Sequence, residues 1–265
     1  MASSCSVCSA TCRLTCCCRK RFYCSKVCQE ADWEQHKANC PKVEEKEISE
    51  EKGRGLVATR NIKKGSIVLE EDPLMLIKKG KDLEARVLEA HKKLTKDDKI
   101  KFGSLHALNR PERKKVLNIW SANSLSTQVM KSDEPLLGVY YRTALINHSC
   151  GPNSVINFTE DRRIKIVAVE QIKAGEEVLL NYLRPTVEQL LKYQRQKMLR
   201  TRFQFNCECR VCSLSGQELE VNQRLKKELS GIDASLHRYR DIQKVVNVQS
   251  SLAIQLGKSF ILTFQ

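Results

Sequence analysis

Over the middle of the chain, apolar residues come in short runs separated by polar or glycine-containing punctuation. That rhythm predicts short β-strands. Leu56-Val57-Ala58 is one run, and Ile62-Lys63-Lys64-Gly65-Ser66-Ile67-Val68-Leu69 reads as two β-branched strands turned at Gly65. A similar phrase returns at Ile172-Lys173-Ala174-Gly175-Glu176-Glu177-Val178-Leu179, so two short hairpins are expected. Ile164, Ile166 and Val167 to Val169 add further strand signal. Residues 82–119 follow another pattern: they are charged and carry Leu83, Val87, Leu88 and Leu94 near helical spacing, which predicts inserted helices. His91 and His106 in this insert read as surface or packing residues. Thr186-x2-Gln189 resembles a capping box opening a helix that runs to about Arg200, and Gln217 to Leu229 is helical in pattern until Ser230-Gly231. Residues 41–51 are strongly charged and lack aromatics, so they read as a linker or exposed helix at a domain boundary. The fold class expected is α+β.

Composition narrows this picture. With 265 residues, 41% of them hydrophobic, the chain can form one or two domains with a core. No run approaches the roughly 18 apolar residues of a membrane span. Met1-Ala2-Ser3-Ser4-Cys5 lacks the apolar segment of a signal peptide, so an intracellular, soluble protein with no membrane partner is expected. In that reducing setting, 13 cysteines suit metal thiolates better than disulfides. They cluster accordingly, between Cys5 and Cys40 and between Cys207 and Cys212. The formal charge of +15 is compatible with a polyanionic or acidic partner, but it is spread along helices and reads equally well as a solvated surface.

The first cluster runs Cys5-x2-Cys8, Cys16-Cys17-Cys18, Cys24-x3-Cys28 and then His36-x3-Cys40. Ligand pairs a few residues apart let a tight turn aim two donors at one ion, and eight donors serve two zinc ions. Forty residues bury too little apolar surface to fold alone, so metal is expected to supply the folding free energy of this module. Arg13, Arg19, Lys20, Arg21 and Lys26 form a positive patch around it. A weak phosphate or DNA contact is one reading of the patch, and a solvated face is the preferred one.

This spacing, with Phe22-Tyr23 before Cys24 and with Gln29 and Trp33 before His36, resembles the MYND zinc finger, a protein-interaction module. The resemblance implies interleaved ligands: Cys5, Cys8, Cys24 and Cys28 on one ion, and a middle pair with His36 and Cys40 on the other. Cys16 and Cys18 are the middle pair by spacing, with Cys17 or Cys12 as alternatives. Further on, Gly53-Arg54-Gly55, Asn123-Ser124, Asn147-His148-Ser149-Cys150-x2-Asn153, Glu177-x4-Tyr182 and Phe205-x-Cys207-x-Cys209-x2-Cys212 occur in the order of a SET domain with its post-SET cysteines. Finger and SET motifs together resemble the SMYD family of protein-lysine methyltransferases, in the arthropod-like arrangement where the finger precedes the SET domain. The expected organisation is a finger at 5–40, a linker at 41–51 and a SET domain at 52–185 with its helical insert. A post-SET helix with zinc-binding cysteines at 186–212 and a truncated helical segment at 213–265 complete it.

The resemblance implies S-adenosylmethionine as cofactor, a lysine of a protein substrate as acceptor, and transfer between them. It assigns the cofactor to Gly53, Arg54, Gly55, Asn123, Asn147, His148, Tyr182 and Phe205, with both the side chain and the backbone of Asn147 and His148 in contact. Tyr182 is the expected catalytic residue, orienting the amine. A third zinc is expected on Cys150, Cys207, Cys209 and Cys212. Only about one lysine amine in a thousand is neutral at pH 7, which costs roughly 4 to 5 kcal/mol, and burial beside a positive sulfur would lower that barrier. Peptide partners for the finger, a monomer, and placement in nucleus and cytoplasm complete the expectations. The competing reading is a catalytically weak or inactive adaptor or transcriptional regulator.

Overall fold

The computed structural model describes residues 4–16, 21–127, 136–183 and 191–226. In the cysteine module, β1 (Leu14–Thr15) pairs antiparallel with β2 (Phe22–Tyr23). Helix α1 (Lys26–Asn39) follows, its first turn capped by the Ser25 hydroxyl, which accepts from the Cys28 amide. Tyr23 is fully buried and donates its hydroxyl to Asp32 at 2.7 Å. Arg60 lies over the Trp33 ring at 5.5 Å and donates to the Cys40 carbonyl, which fastens the module to the chain that follows.

The stretch 41–51, read as linker or exposed helix, is mostly strand. β3 (Val43–Ser49) pairs antiparallel with β4 (Gly53–Ala58). Strand β3 has a single partner, and charged side chains such as Glu44, Glu45 and Glu47 are what an open edge tolerates. Only Val43 is firmly buried, so the two-residue period barely shows in the sequence.

The two glycine-centred phrases differ from expectation as well. Each turns at its glycine, with φ of +79° at Gly65 and +86° at Gly175, but neither closes a hairpin on itself. They pair with each other instead: Ile62 and Ile172 exchange amide-to-carbonyl hydrogen bonds of 2.8 and 2.9 Å. Both isoleucines are buried by this long-range contact, whereas Lys63, Lys64 and Gly65 in the turn are exposed and offer no apolar pair within the phrase.

After the first phrase, β5 (Ile67–Glu71) joins β11 (Ile164–Ala168), which in turn pairs with β10 (Ser154–Phe158). A second three-stranded sheet runs in the order β6 (Met75–Lys78), β8 (Leu136–Val139), β7 (Leu125–Thr127). Between β6 and β7 lie α2 (Leu83–Lys93), α3 (Lys96–Gly103) and α4 (Lys115–Asn123), so the inserted helices run a few residues past 119. Val87, Phe102, Leu117, Ile119 and Trp120 carry this insert into the core, and His91 packs against Phe102 with ring centroids 5.2 Å apart.

The site is assembled where distant segments align. The chain after Gly175 runs beside β4, with Ala58 donating to the Glu176 carbonyl and Val178 to the Leu56 carbonyl, each at 2.8 Å. Its continuation, β12 (Leu179–Leu180), lies parallel to β9 (Asn147–His148). Residues 53–58, 147–148 and 176–180 are thereby neighbours. Helix α5 (Lys192–Phe203) then leads to the last cysteines. The capping box expected at Thr186 and Gln189 lies outside the described residues, and Leu191 donates instead to the Gln194 side chain at 2.8 Å. Residues 216–226 are helical, and the rest of 213–265 beyond them lies outside the described residues.

Candidate active site and metal centres

Gly53 and Gly55 serve different needs. Gly53 has φ of +64° with open space around it, a conformation that costs other residues strain. At Gly55 the limit is space: a Cβ would stand 2.9 Å from Glu177 Oε1 and 3.0 Å from Asn147 Nδ2. Asn147 Nδ2 donates to Glu177 Oε1 at 2.8 Å and to the Arg54 carbonyl at 3.1 Å. These two acceptors set the amide orientation, because a flip would turn Asn147 Oδ1 against two oxygens. The amide oxygen then remains to accept from a ligand. Glu177 also pairs with Lys52 at 3.0 Å. Arg54 itself reaches Glu45 at 2.5 Å and donates to the Ser104 carbonyl.

Next to this polar group lies an aromatic cluster of His148, Tyr182, Phe203 and Phe205. Tyr182 has ring centroids 5.2 Å from His148, 5.1 Å from Phe203 and 6.3 Å from Phe205. Its hydroxyl donates to the Ile146 carbonyl at 2.7 Å, and burial pushes its pKa up, so it stays protonated with lone pairs left to accept. His148 Nδ1 accepts from the Tyr182 amide at 3.0 Å, which leaves the ring proton on Nε2, 3.4 Å from Cys150 Sγ. Burial pushes the His148 pKa down to about 4. Both ring nitrogens of His148 thus face partners within the fold. The Asn123 amide donates to the Ile119 and His106 carbonyls, and among the described residues no hydrogen bond joins it to Asn147, His148 or Tyr182.

The cysteines fall into sets. Cys5, Cys8, Cys24 and Cys28 gather in one; Cys16, His36 and Cys40 in a second; Cys150, Cys207, Cys209 and Cys212 in a third, with donor atoms within 4.8 Å of one another in each. A tetrahedral zinc with bonds near 2.3 Å needs sulfurs about 3.8 Å apart. The separations fit: 3.4 Å for Cys8–Cys24, 3.8 Å for Cys8–Cys28, 3.7 Å for Cys16–Cys40, 3.5 Å for Cys150–Cys212 and 4.0 Å for Cys150–Cys207. They are far too long for disulfides, and no disulfide joins the described cysteines. The cysteine sets could therefore hold zinc. Cys17 and Cys18 lie outside the described residues; Cys12 packs against the module's sulfurs without joining a set.

Two contributors escaped the sequence reading. Phe203 follows no metal or glycine signal, although its spacing to Phe205, two apart across the end of α5, hints at a shared face. Glu177 was visible only as the first residue of a motif, yet it holds both Asn147 and Lys52.

Comparison with known proteins agrees with this geometry. A family model described as SET domain matches residues 53–183. The chain is 29% identical over 214 residues to human N-lysine methyltransferase SMYD2, covering 76% of this chain and 48% of the relative. It is 30% identical over 190 residues to histone-lysine N-methyltransferase set5 of Schizosaccharomyces pombe, covering 70% and 55%. A SET and MYND domain-containing protein of Dictyostelium discoideum shares 34% over 90 residues, 34% of this chain and 25% of the relative. The chain spans about half the length of the curated relatives it matches. Among the described residues, no helix is long and apolar enough to cross a membrane. The SET match, these relatives and the cysteine module ahead of Gly53 agree with one another, and together they support the SMYD family of SET and MYND proteins as the family this chain resembles.

Proposed function

We propose that the chain is a protein-lysine N-methyltransferase using S-adenosylmethionine, with Tyr182 as the catalytic residue. The observation that carries this is the junction of Gly55, Asn147 and Glu177 with the partly buried aromatic cluster around Tyr182. The residues fit the cofactor: a glycine edge that a Cβ would obstruct, an amide oxygen held ready to accept from an ammonium group, and an aromatic face at Phe205 for a flat ring. When bound, S-adenosylmethionine supplies an electrophilic methyl group on a positively charged sulfur.

The chain's own part is to orient and to exclude water. Asn147 Oδ1 accepts from the bound molecule, and Gly53 to Gly55 bring backbone against it. The aromatic cluster disfavours the ammonium form of an entering lysine, since burial without a counter-charge lowers an amine's pKa. The Tyr182 hydroxyl, anchored on the Ile146 carbonyl, accepts from the amine and aligns its lone pair. The proton lost by the lysine leaves to solvent, with no side-chain base assigned.

Three zinc ions complete the proposal, one on each cysteine set, with Cys18 as fourth ligand beside Cys16, His36 and Cys40. The finger is the site for peptide partners, and nuclear and cytoplasmic placement as a monomer belongs to the same reading. The test is to incubate the purified chain with S-adenosylmethionine and a lysine-rich protein mixture and read methylation by mass spectrometry. Transfer to lysine supports the proposal. Cofactor binding without transfer would favour the adaptor.

A further inference from the structure

Helix α5 contributes more than a route to the tail cysteines. Arg195 is 1% exposed, the most buried cation among the described residues, and its guanidinium donates to Cys212 Sγ at 3.7 Å. One position on, Gln196 accepts from the Cys207 amide at 3.0 Å and donates to the Cys207 carbonyl. Leu199, four residues after Arg195 on the same helical face, is fully buried beside these cysteines. A buried guanidinium requires negative charge nearby. Four thiolates on one divalent zinc carry a net charge of −2, which neutral thiols would not.

A second donor faces the same sulfurs. With Nδ1 accepting from the Tyr182 amide, His148 directs Nε2–H toward Cys150 Sγ. The Cys150 amide points at Cys209 Sγ at 3.4 Å. Donors around a thiolate set draw off negative charge, hold each sulfur in direction, and commonly change metal retention by about 10- to 100-fold.

We propose that Arg195 is a positioning residue of the methyl-transfer site: its charge retains the metal on Cys150, Cys207, Cys209 and Cys212, and His148 ties that set to Tyr182. The inference rests on the reading that this set holds zinc. Removing the charge leaves the doubly negative set to be stabilised by neutral donors alone, so the ion leaves faster.

The experiment uses the full chain as purified, challenged with excess chelator and a chromogenic zinc indicator. The zinc belonging to the tail set is the portion missing from Cys207→Ser. Arg195→Met, which keeps stem volume without charge, is expected to release that portion about 10- to 100-fold faster, and Arg195→Lys to lie between Arg195→Met and the unmodified chain. Release from Arg195→Met at the unmodified rate overturns the proposal. So does Arg195→Lys behaving like Arg195→Met, since charge would then not be the cause. If Arg195→Met does not fold, Arg195→Gln serves as the neutral variant under the same criteria. Unchanged zinc content in Cys207→Ser refutes the underlying zinc reading and the proposal with it; a deficit of one zinc with unaltered release from Arg195→Met refutes the Arg195 role alone.

Discussion

Gly55→Ala perturbs the site through one methyl group. Its Cβ would lie 2.6 Å from Ile48 Cγ1, 2.9 Å from Glu177 Oε1 and 3.0 Å from Asn147 Nδ2. Ile48 can yield by rotating, but Glu177 is held by Lys52, and Asn147 by both Glu177 and the Arg54 carbonyl. Overpacking a fitted site costs typically about 1 to 3 kcal/mol. If that cost falls on the arrangement that receives the cofactor, affinity drops by roughly 5- to 150-fold. Isothermal titration with S-adenosylmethionine reads the effect. Gly53→Ala is the control, because its Cβ meets nothing and its penalty is backbone strain at φ of +64°. Strain there should lower melting temperature with a smaller loss of affinity. Equal affinity in Gly55→Ala and the unmodified chain would refute the claim that close backbone approach at Gly55 shapes the cofactor pocket.

Further outcomes follow from the metal sets and from the buried tyrosine of the finger. Elemental analysis of protein purified without added metal should give a zinc ratio near three, and Cys18→Ser should lose one ion while Cys17→Ser keeps it; the reverse would move the ligand to Cys17. Cys207→Ser should weaken S-adenosylmethionine binding although Cys207 lies outside the proposed contacts, because the tail carries Phe205 against His148 and Tyr182; unchanged affinity would show that the tail is no wall of the pocket. Tyr23→Phe removes the hydroxyl that Asp32 accepts and should destabilise the finger by about 1 to 3 kcal/mol, read as faster chelator-driven unfolding, whereas an unchanged rate would show the bond to be dispensable.

What the sequence disclosed depended on how local the governing physics was. Cysteine spacing announced the ligand pairs because a tight turn or one helical turn brings such donors together, while the grouping of pairs into sets came from the family resemblance. The helical insert was legible for the same reason, since Leu83, Val87 and Leu88 recur near helical spacing along α2. The partner of Ile62 was not legible: a pairing with Ile172 across more than a hundred residues is chosen by what each buries, and the apolar rhythm of either phrase fits a hairpin equally well. Strand β3 was hidden by its charges, which an edge position allows. His148 was read from its place beside Asn147, but the direction of its ring depends on the Tyr182 amide and Cys150, both supplied by other segments.

Methyl transfer by Tyr182→Phe, assayed on a validated protein substrate at neutral and at high pH, tests the catalytic assignment most directly. The ring and its contacts with His148, Phe203 and Phe205 remain, so fold and most cofactor affinity should persist. Loss of one positioned hydrogen bond, about 1 to 3 kcal/mol, should slow transfer by roughly one to two orders of magnitude. The deficit should hold at high pH, because supplying neutral amine does not restore its alignment. Transfer at the original rate would contradict the account and return Tyr182 to a packing role.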